Sequence, residues 1–301
     1  MSESRGPGTR GSSIAVVGCG SIGAAIARCL ARGGHRVLAW NRTFARAEAL
    51  AGDGITAIRD LPGAVDGAPL AIVCTTTYET TLEALEQVAD WSGKTLVNLT
   101  TGTPEEAEEM QRWAMGRGAA YLDGVVVSYP AEIGLPETML NYAGPPAVWS
   151  ALEATLMELG GASSHISTEV GAANLTFNAL AGFYTVTLSA YVEAIAYTQG
   201  CGVPAAATRA TTKRLLGMLE QSTEEAALNI ESGEHETDQA TIAIFLEGMR
   251  HSLPRLQGTG RPFRIFAATV ANLEAAVDAG FGDLDLYAQS KAFREPQKGT
   301  R

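Results

Sequence analysis

The sequence predicts an α/β domain, then one long helix, then an all-α domain. Three observations carry that reading. Apolar runs at residues 14–17, 36–40, 70–74 and 95–99 alternate with helical patterns, as buried parallel strands alternate with their crossover helices. Glu169 and Glu193 enclose 23 residues without a formal charge. Beyond them, residues 205–220, 237–253 and 262–279 are all helical in pattern.

Taken in order, residues 1–13 are mostly Ser, Gly and Arg with no apolar core, which predicts a disordered tail rather than a signal peptide. Ile14-Ala15-Val16-Val17 then runs straight into Gly18-Cys19-Gly20-Ser21-Ile22-Gly23, a helical pattern over 24–32 stopped by Gly33-Gly34, and a second strand at 36–40. Strand, G-x-G-x-x-G, helix, strand is the Rossmann context in which this motif binds a dinucleotide. Gly18 permits the tight turn, Gly20 the approach of a pyrophosphate, and Gly23 close helix–strand packing. The helix N-terminus offers free N–H groups to phosphate. Residues 18–23 are therefore candidate cofactor residues, Cys19, Ser21 and Ile22 among them.

The end of the second strand selects the dinucleotide. NAD sites place an Asp or Glu there for the ribose 2′-hydroxyl, whereas this chain has Asn41-Arg42-Thr43 and no carboxylate until Glu48. An amide, a guanidinium and a hydroxyl suit a 2′-phosphate. The expected cofactor is NADPH.

Further strands are predicted at 119–123, 139–143 and 163–166, with helices over 45–51, 78–89, 104–116 and 147–159. The helix from Pro104 has Pro in its first turn and Glu105 and Glu106 to complement the dipole. Ligands of open α/β sheets sit at strand ends. Thr75 and Thr76 follow one strand, and Asn98 and Thr100 close another, so these four are candidate cofactor contacts. Residues 14–167 are assigned to the Rossmann domain and 168–301 to the long helix plus a helical dimerisation and substrate domain.

The uncharged stretch is long enough to span a bilayer, but Asn174, Thr176, Asn178, Thr185, Thr187 and two tyrosines make it a poor membrane segment. A soluble helix so sparsely charged must be covered on most sides, which predicts burial against the helical domain and a second subunit. Net charge −11 without a Lys/Arg cluster excludes a nucleic-acid partner. The four cysteines and four histidines are scattered, so neither a metal site nor a disulfide framework is expected. With no secretory signal, the expected location is the cytoplasm.

Several motifs, in family order, carry a resemblance. G-x-G-x-x-G, Gly34-His35, Trp40-Asn41-Arg42-Thr43, Asn98-Leu99-Thr100-x-Gly102-Thr103-Pro104, Tyr121-Leu122-Asp123-Gly124 and Ile133-Gly134 together resemble the imine reductases and reductive aminases. That family lies in the β-hydroxyacid dehydrogenase superfamily. The resemblance implies a Rossmann domain, a long interdomain helix and a helical domain swapped between the subunits of a homodimer. It implies hydride transfer to an imine or iminium, an active site between the two subunits, and a substrate pocket drawing on Thr100, Asp123, Val125 and Thr185.

The competing activity is β-hydroxyacid oxidation, which needs a Lys on the interdomain helix. No Lys occurs between Lys94 and Lys213. Imine reductases usually carry Asp or Tyr at that place, and the resemblance puts Asn178 there. An amide cannot act as a general acid, though it can hold a substrate nitrogen or a water in position. The proton then comes from a preformed iminium, from water, or from a nearby hydroxyl. Thr185 shares the face of Asn178 and Tyr184 is the better donor, so Asn178 and Tyr184 are the catalytic candidates. A Lys-free dehydrogenase and a non-catalytic NADPH sensor are the remaining readings.

Overall fold

A computed structural model describes residues 11–293. The expected tail falls largely outside them; what is described of it is ordered, since Ser12 is buried and its carbonyl accepts from Arg36 N at 3.1 Å. The chain divides into two compact units, one ending at Ala181 and the other starting at Gly182.

The first unit is built on β1 (Ser13–Val17), α1 (Ser21–Arg32), β2 (Arg36–Trp40), α2 (Phe44–Glu48), β3 (Ile55–Ala57), α3 (Leu61–Asp66) and β4 (Leu70–Val73). It continues through α4 (Tyr78–Leu85), β5 (Thr95–Asn98), α5 (Pro104–Met115), β6 (Ala120–Val126), β7 (Leu140–Ala143), α6 (Pro146–Leu156) and β8 (Ser164–Ser167). The strands form one sheet in the order β3-β2-β1-β4-β5-β6-β7-β8. All neighbours pair in parallel except β6 with β7. The order reverses between β1 and β4, and that crevice is where such sheets bind ligands.

The pleat divides the core. Ile14 and Val16 of β1 pack with Ile26 and Leu30 of α1 and Leu152 of α6. Ala15 and Val17 face the other way, onto Leu61 of α3, Leu85 of α4 and Met110 of α5. A parallel strand buried on both faces reads as a continuous apolar run, which is why the sequence shows it so plainly. Lys94 serves the fold: its ammonium donates to the carbonyls of Val65, Asp66 and Ala68 at 2.9, 3.2 and 3.1 Å, closing the C-terminal end of α3.

Two elements go beyond the sequence reading, β3 and α3. β3 has three residues, and α3 begins Leu61-Pro62-Gly63, a poor helical pattern that starts because Asp60 caps Gly63 N. β6 extends to Val126, so Asp123 lies inside a strand rather than at its end.

α7 (Ala172–Gly200) begins in the first unit and ends in the second. By length and composition it could cross a membrane. The expectation that it is covered on most sides is not met within one chain: only Ala173 and Asn174 are buried, and Leu180, Phe183, Val186 and Val192 are exposed. The second unit adds α8 (Ala205–Ser232), α9 (Ile242–Gln257), α10 (Arg264–Asp278) and α11 (Gln289–Ala292), and no strand is present in it among the described residues. α8 outruns its predicted end at residue 220 and stops at Gly233, whose φ of 76° makes a left-handed cap. Ile242 and Leu246 of α9 pack on Val270, Leu273 and Ala276 of α10.

Candidate active site and cofactor cleft

A cleft of about 840 Å³ opens at the crevice between β1 and β4, lined by the glycine loop, residues 40–43 and 74–76, and Arg46, Arg59 and Thr80. Each glycine in the loop has its own reason. Gly18 has φ +98° and a Cβ there would lie 2.2 Å from the Cys74 carbonyl oxygen. A Cβ on Gly23 would lie 1.9 Å from the Gly18 carbonyl oxygen. Nothing lies within 4 Å of a Cβ built on Gly20, so that residue faces open cleft, as the approach of a pyrophosphate requires. Gly20 is also the N-cap of α1, with no side chain capping the helix and no acidic residue in its first turn. The helix N-terminus is thus open to phosphate oxygens, apart from the Gly23 N–H, which is engaged by the Cys74 sulfur.

Asn41 braces this loop. Its Oδ1 accepts from Cys19 N at 2.9 Å and its Nδ2 donates to the Thr43 carbonyl at 3.0 Å. The amide thus ties the glycine turn to the end of β2, using an acceptor and a donor that a carboxylate could not both provide. The Cys19 thiol is buried beside the Trp40 carbonyl, and burial pushes its pKa up to about 11; Cys74 is raised to about 11 for the same reason. Thr75 N donates to Thr100 Oγ1 at 3.1 Å, and the hydroxyls of Thr75, Thr81 and Thr100 form one cluster. Thr75 and Thr76 line the cleft, while Asn98 and Thr100 are buried behind it.

Next to Asn98 lies a closed polar cluster around Asp123. Its Oδ1 accepts from Tyr78 Oη and Tyr121 Oη, both at 2.7 Å, and from Asn98 Nδ2 at 3.3 Å. Its Oδ2 accepts from Asn174 Nδ2 at 2.8 Å. Burial raises the Asp123 pKa to about 6 against the pull of those four donors, and burial together with the neighbouring carboxyl raises both tyrosines. Asn174 also reaches the loop before α5, accepting from Gly102 N at 2.8 Å, and one turn later Asn178 Nδ2 donates to the Gly102 carbonyl at 2.9 Å. Asp123 and Val125, both expected at the substrate pocket, are fully buried side chains. Tyr184 is 56 % exposed, within the second unit together with Thr185.

Two family models cover nearly the whole chain. Residues 13–168 match the NAD binding domain of 6-phosphogluconate dehydrogenase, and residues 169–295 match the C-terminal domain of NADPH-dependent reductive aminase-like proteins. The chain belongs to the imine reductase and reductive aminase family. It is 27% identical to an NADPH-dependent reductive aminase of Aspergillus oryzae over 93% of this chain and 97% of that one. It resembles the imine reductase of Myxococcus stipitatus in complex with NADP⁺ at a TM-score of 0.86 and 29% identity, over 93% of this chain and 99% of that one. An imine reductase from Aspergillus terreus in complex with NADPH4 and dibenz[c,e]azepine gives a TM-score of 0.88 at 25% identity, over 95% and 100% of the chains. The protein is an NADPH-dependent oxidoreductase acting on C=N bonds.

For an imine reductase, the cleft fits the dinucleotide: the glycine loop and the N-terminus of α1 would hold the pyrophosphate, and residues 41–43 would flank the adenosine ribose. The sequence reading did not single out Arg46 or Arg59 in this cleft, nor Tyr78 and Asn174 in the Asp123 cluster. Arg46, four residues past Arg42 on a short helix, was open to detection by spacing. Arg59 follows β3, an element too short to be seen, and the Asp123 cluster assembles three strand or helix termini that only the sheet order brings together.

Proposed function

We propose that this imine reductase acts on imines that reach it as iminium ions, cyclic imines among them, and works as a homodimer. The observation that carries the reading is the fixed state of the amides at the start of α7. Asn174 is bound to Asp123, Tyr78 and Gly102, and Asn178 to the Gly102 carbonyl. Neither presents a proton acceptor or acid of the kind alcohol oxidation demands, and Lys94, the last Lys before them in sequence, is spent on three carbonyls. An iminium ion needs neither acid nor base: it is protonated at nitrogen before it binds, and hydride addition at carbon gives the neutral amine.

Bound NADPH supplies the hydride. The residues of this chain fix its surroundings. Asn178 holds the peptide of Gly102 in place and so shapes the loop from Thr100 to Thr103. Tyr184 or an ordered water serves imines that arrive unprotonated. Asp123 stays out of the reaction, sealed among four donors. Thr185 and the Val125 strand belong to the pocket surroundings.

The exposed apolar side chains of α7 and α8, such as Leu180, Val186, Leu215 and Leu216, support a second copy as their cover, with the helical domain swapped between subunits. Covered in this way, α7 is a dimer helix of a cytoplasmic enzyme rather than a membrane span.

The test is NADPH oxidation with 2-methyl-1-pyrroline, run beside 3-hydroxyisobutyrate with NADP⁺ and repeated from mildly acidic to alkaline pH. Turnover of the imine alone, falling as pH passes the imine's own pKa, is the expected result. Turnover of the hydroxyacid alone, or NADPH binding without any turnover across an imine panel, overturns the reading.

A further inference from the structure

Three arginines line the cofactor cleft: Arg42 after β2, Arg46 on α2 and Arg59 after β3. None of them forms an ion pair or hydrogen bond with the described residues, whereas Arg112 and Arg250 elsewhere pair with Glu108 and Glu274. The chain has 33 acidic residues against 22 basic ones, so three unpaired guanidiniums converging on one cleft are a local excess of positive charge in an acidic protein. Two carboxylates also line the cleft, Glu83 on α4 and Asp60 beside Arg59. Asp60 is turned away, with Oδ1 accepting from Gly63 N at 2.8 Å as the cap of α3.

Arg59 differs from the other two in being held. Its Cζ lies 3.9 Å from the centre of the Phe44 ring, within the range of a favourable cation–π contact. Phe44 follows directly on Thr43, so the ring that carries Arg59 is continuous with the segment that flanks the ribose. A guanidinium seated on an aromatic face has less rotamer freedom to lose and keeps its N–H edge for a planar, bidentate partner.

We propose that Arg59, seated on Phe44, is a third cation of the subsite for the 2′-phosphate of NADPH and sets the preference of this enzyme for NADPH over NADH. The proposal rests on the reading of the cleft as the cofactor site. Arg42 is marked by sequence, but Arg59 comes from a different crossover and closes the subsite from the β3 side of the sheet. A 2′-phosphate is a dianion that can engage guanidiniums from both segments, and a 2′-hydroxyl cannot.

The experiment uses two fragments of the cofactor, adenosine 2′,5′-bisphosphate and 5′-AMP, titrated calorimetrically against the wild type and against Arg59→Ala, Arg59→Lys and Phe44→Leu, with KM for NADPH and NADH alongside. Arg59 is exposed, so its variants keep the fold. Arg59→Ala is expected to weaken the bisphosphate about tenfold and leave 5′-AMP within about twofold, with Arg59→Lys recovering part of the loss. Phe44→Leu is expected to give a smaller loss, about threefold, confined to the bisphosphate. An Arg59→Ala protein that binds both fragments as the wild type does, or loses both equally, overturns the proposal. Any other pattern in Phe44→Leu removes the ring from it. A wild type that does not distinguish the two fragments fails at the earlier step, the NADPH reading of the cleft itself.

Discussion

Gly18, Gly20 and Gly23 look equivalent in the motif and are not equivalent in the fold. Gly18→Ala meets the Cys74 carbonyl from a left-handed backbone and is expected to cost roughly 3 kcal/mol of stability or more, visible as a lowered Tm without any cofactor. Gly20 has an ordinary backbone, φ −71° and ψ −170°, and an open surrounding. Gly20→Ala is therefore expected to leave Tm within about a degree while raising KM for NADPH about tenfold, because the methyl group occupies phosphate space. Asn41→Asp keeps the acceptor for Cys19 N, loses the donor to Thr43, and sets a carboxylate beside the 2′-phosphate. The ratio of kcat/KM for NADPH to that for NADH should fall by about tenfold or more. Asp123 makes a prediction in pH. Its folded-state pKa, about 6, stands above the value near 3.9 of an unfolded chain, so the native state holds this proton more tightly than the unfolded one does. The contribution is full below pH ~4 and is lost as pH rises through ~6, on the order of 3 kcal/mol. Asp123→Asn cannot ionise, so the difference in urea stability between wild type and variant should shrink from pH 4 to pH 7.5; a difference independent of pH would refute the raised pKa. The turn at the glycines was legible in the sequence because a short motif carries its geometry locally, whereas Asn41 stood out there only as a neighbour of the 2′-phosphate and not as the brace of that turn. The cluster around Asp123 was not legible: Tyr121 stands two residues away on the same strand, but Tyr78, Asn98 and Asn174 reach the carboxyl through tertiary contact alone.

At the level of elements, the start of α7 is a clasp. Two asparagines one helical turn apart grip both ends of the Gly102 residue, one through its N–H and the other through its C=O. Asn174 is fully buried and serves three partners, so Asn174→Ala should cost about 2–4 kcal/mol by chemical denaturation. Asn178 is exposed, and Asn178→Ala should cost under about 1 kcal/mol while lowering kcat/KM for imines, since it frees the loop and not the core. Equal stability losses for the two would mean that the loop and the cluster do not open independently. The central strands of this chain could be read from sequence because each is a continuous apolar run, and the long helices because their pattern extends over many residues. β3 and α3 could not: they are short, and α3 owes its start to one carboxylate, Asp60, placed before a Pro-Gly pair. The same blind spot hid Arg59, the residue between them and the cleft.

For the whole molecule, the long uncharged stretch that became α7 could be read from the sequence, but one chain leaves this helix uncovered, and sequence could only point to that cover. The proposed dimer predicts that Leu216→Glu, a charge placed in the exposed apolar face of α8, gives a protein of half the wild-type mass by light scattering, with imine reduction lost together with the association. A variant that stays dimeric would place the interface elsewhere. The open face also bears on how the protein is made. A newly synthesised or refolding chain must carry Leu180, Phe183, Val186 and their neighbours bare until it finds its cover, and such surfaces collect one another indiscriminately. Recovery after dilution from urea should therefore peak at an intermediate protein concentration, starved of encounters below it and lost to aggregates above it.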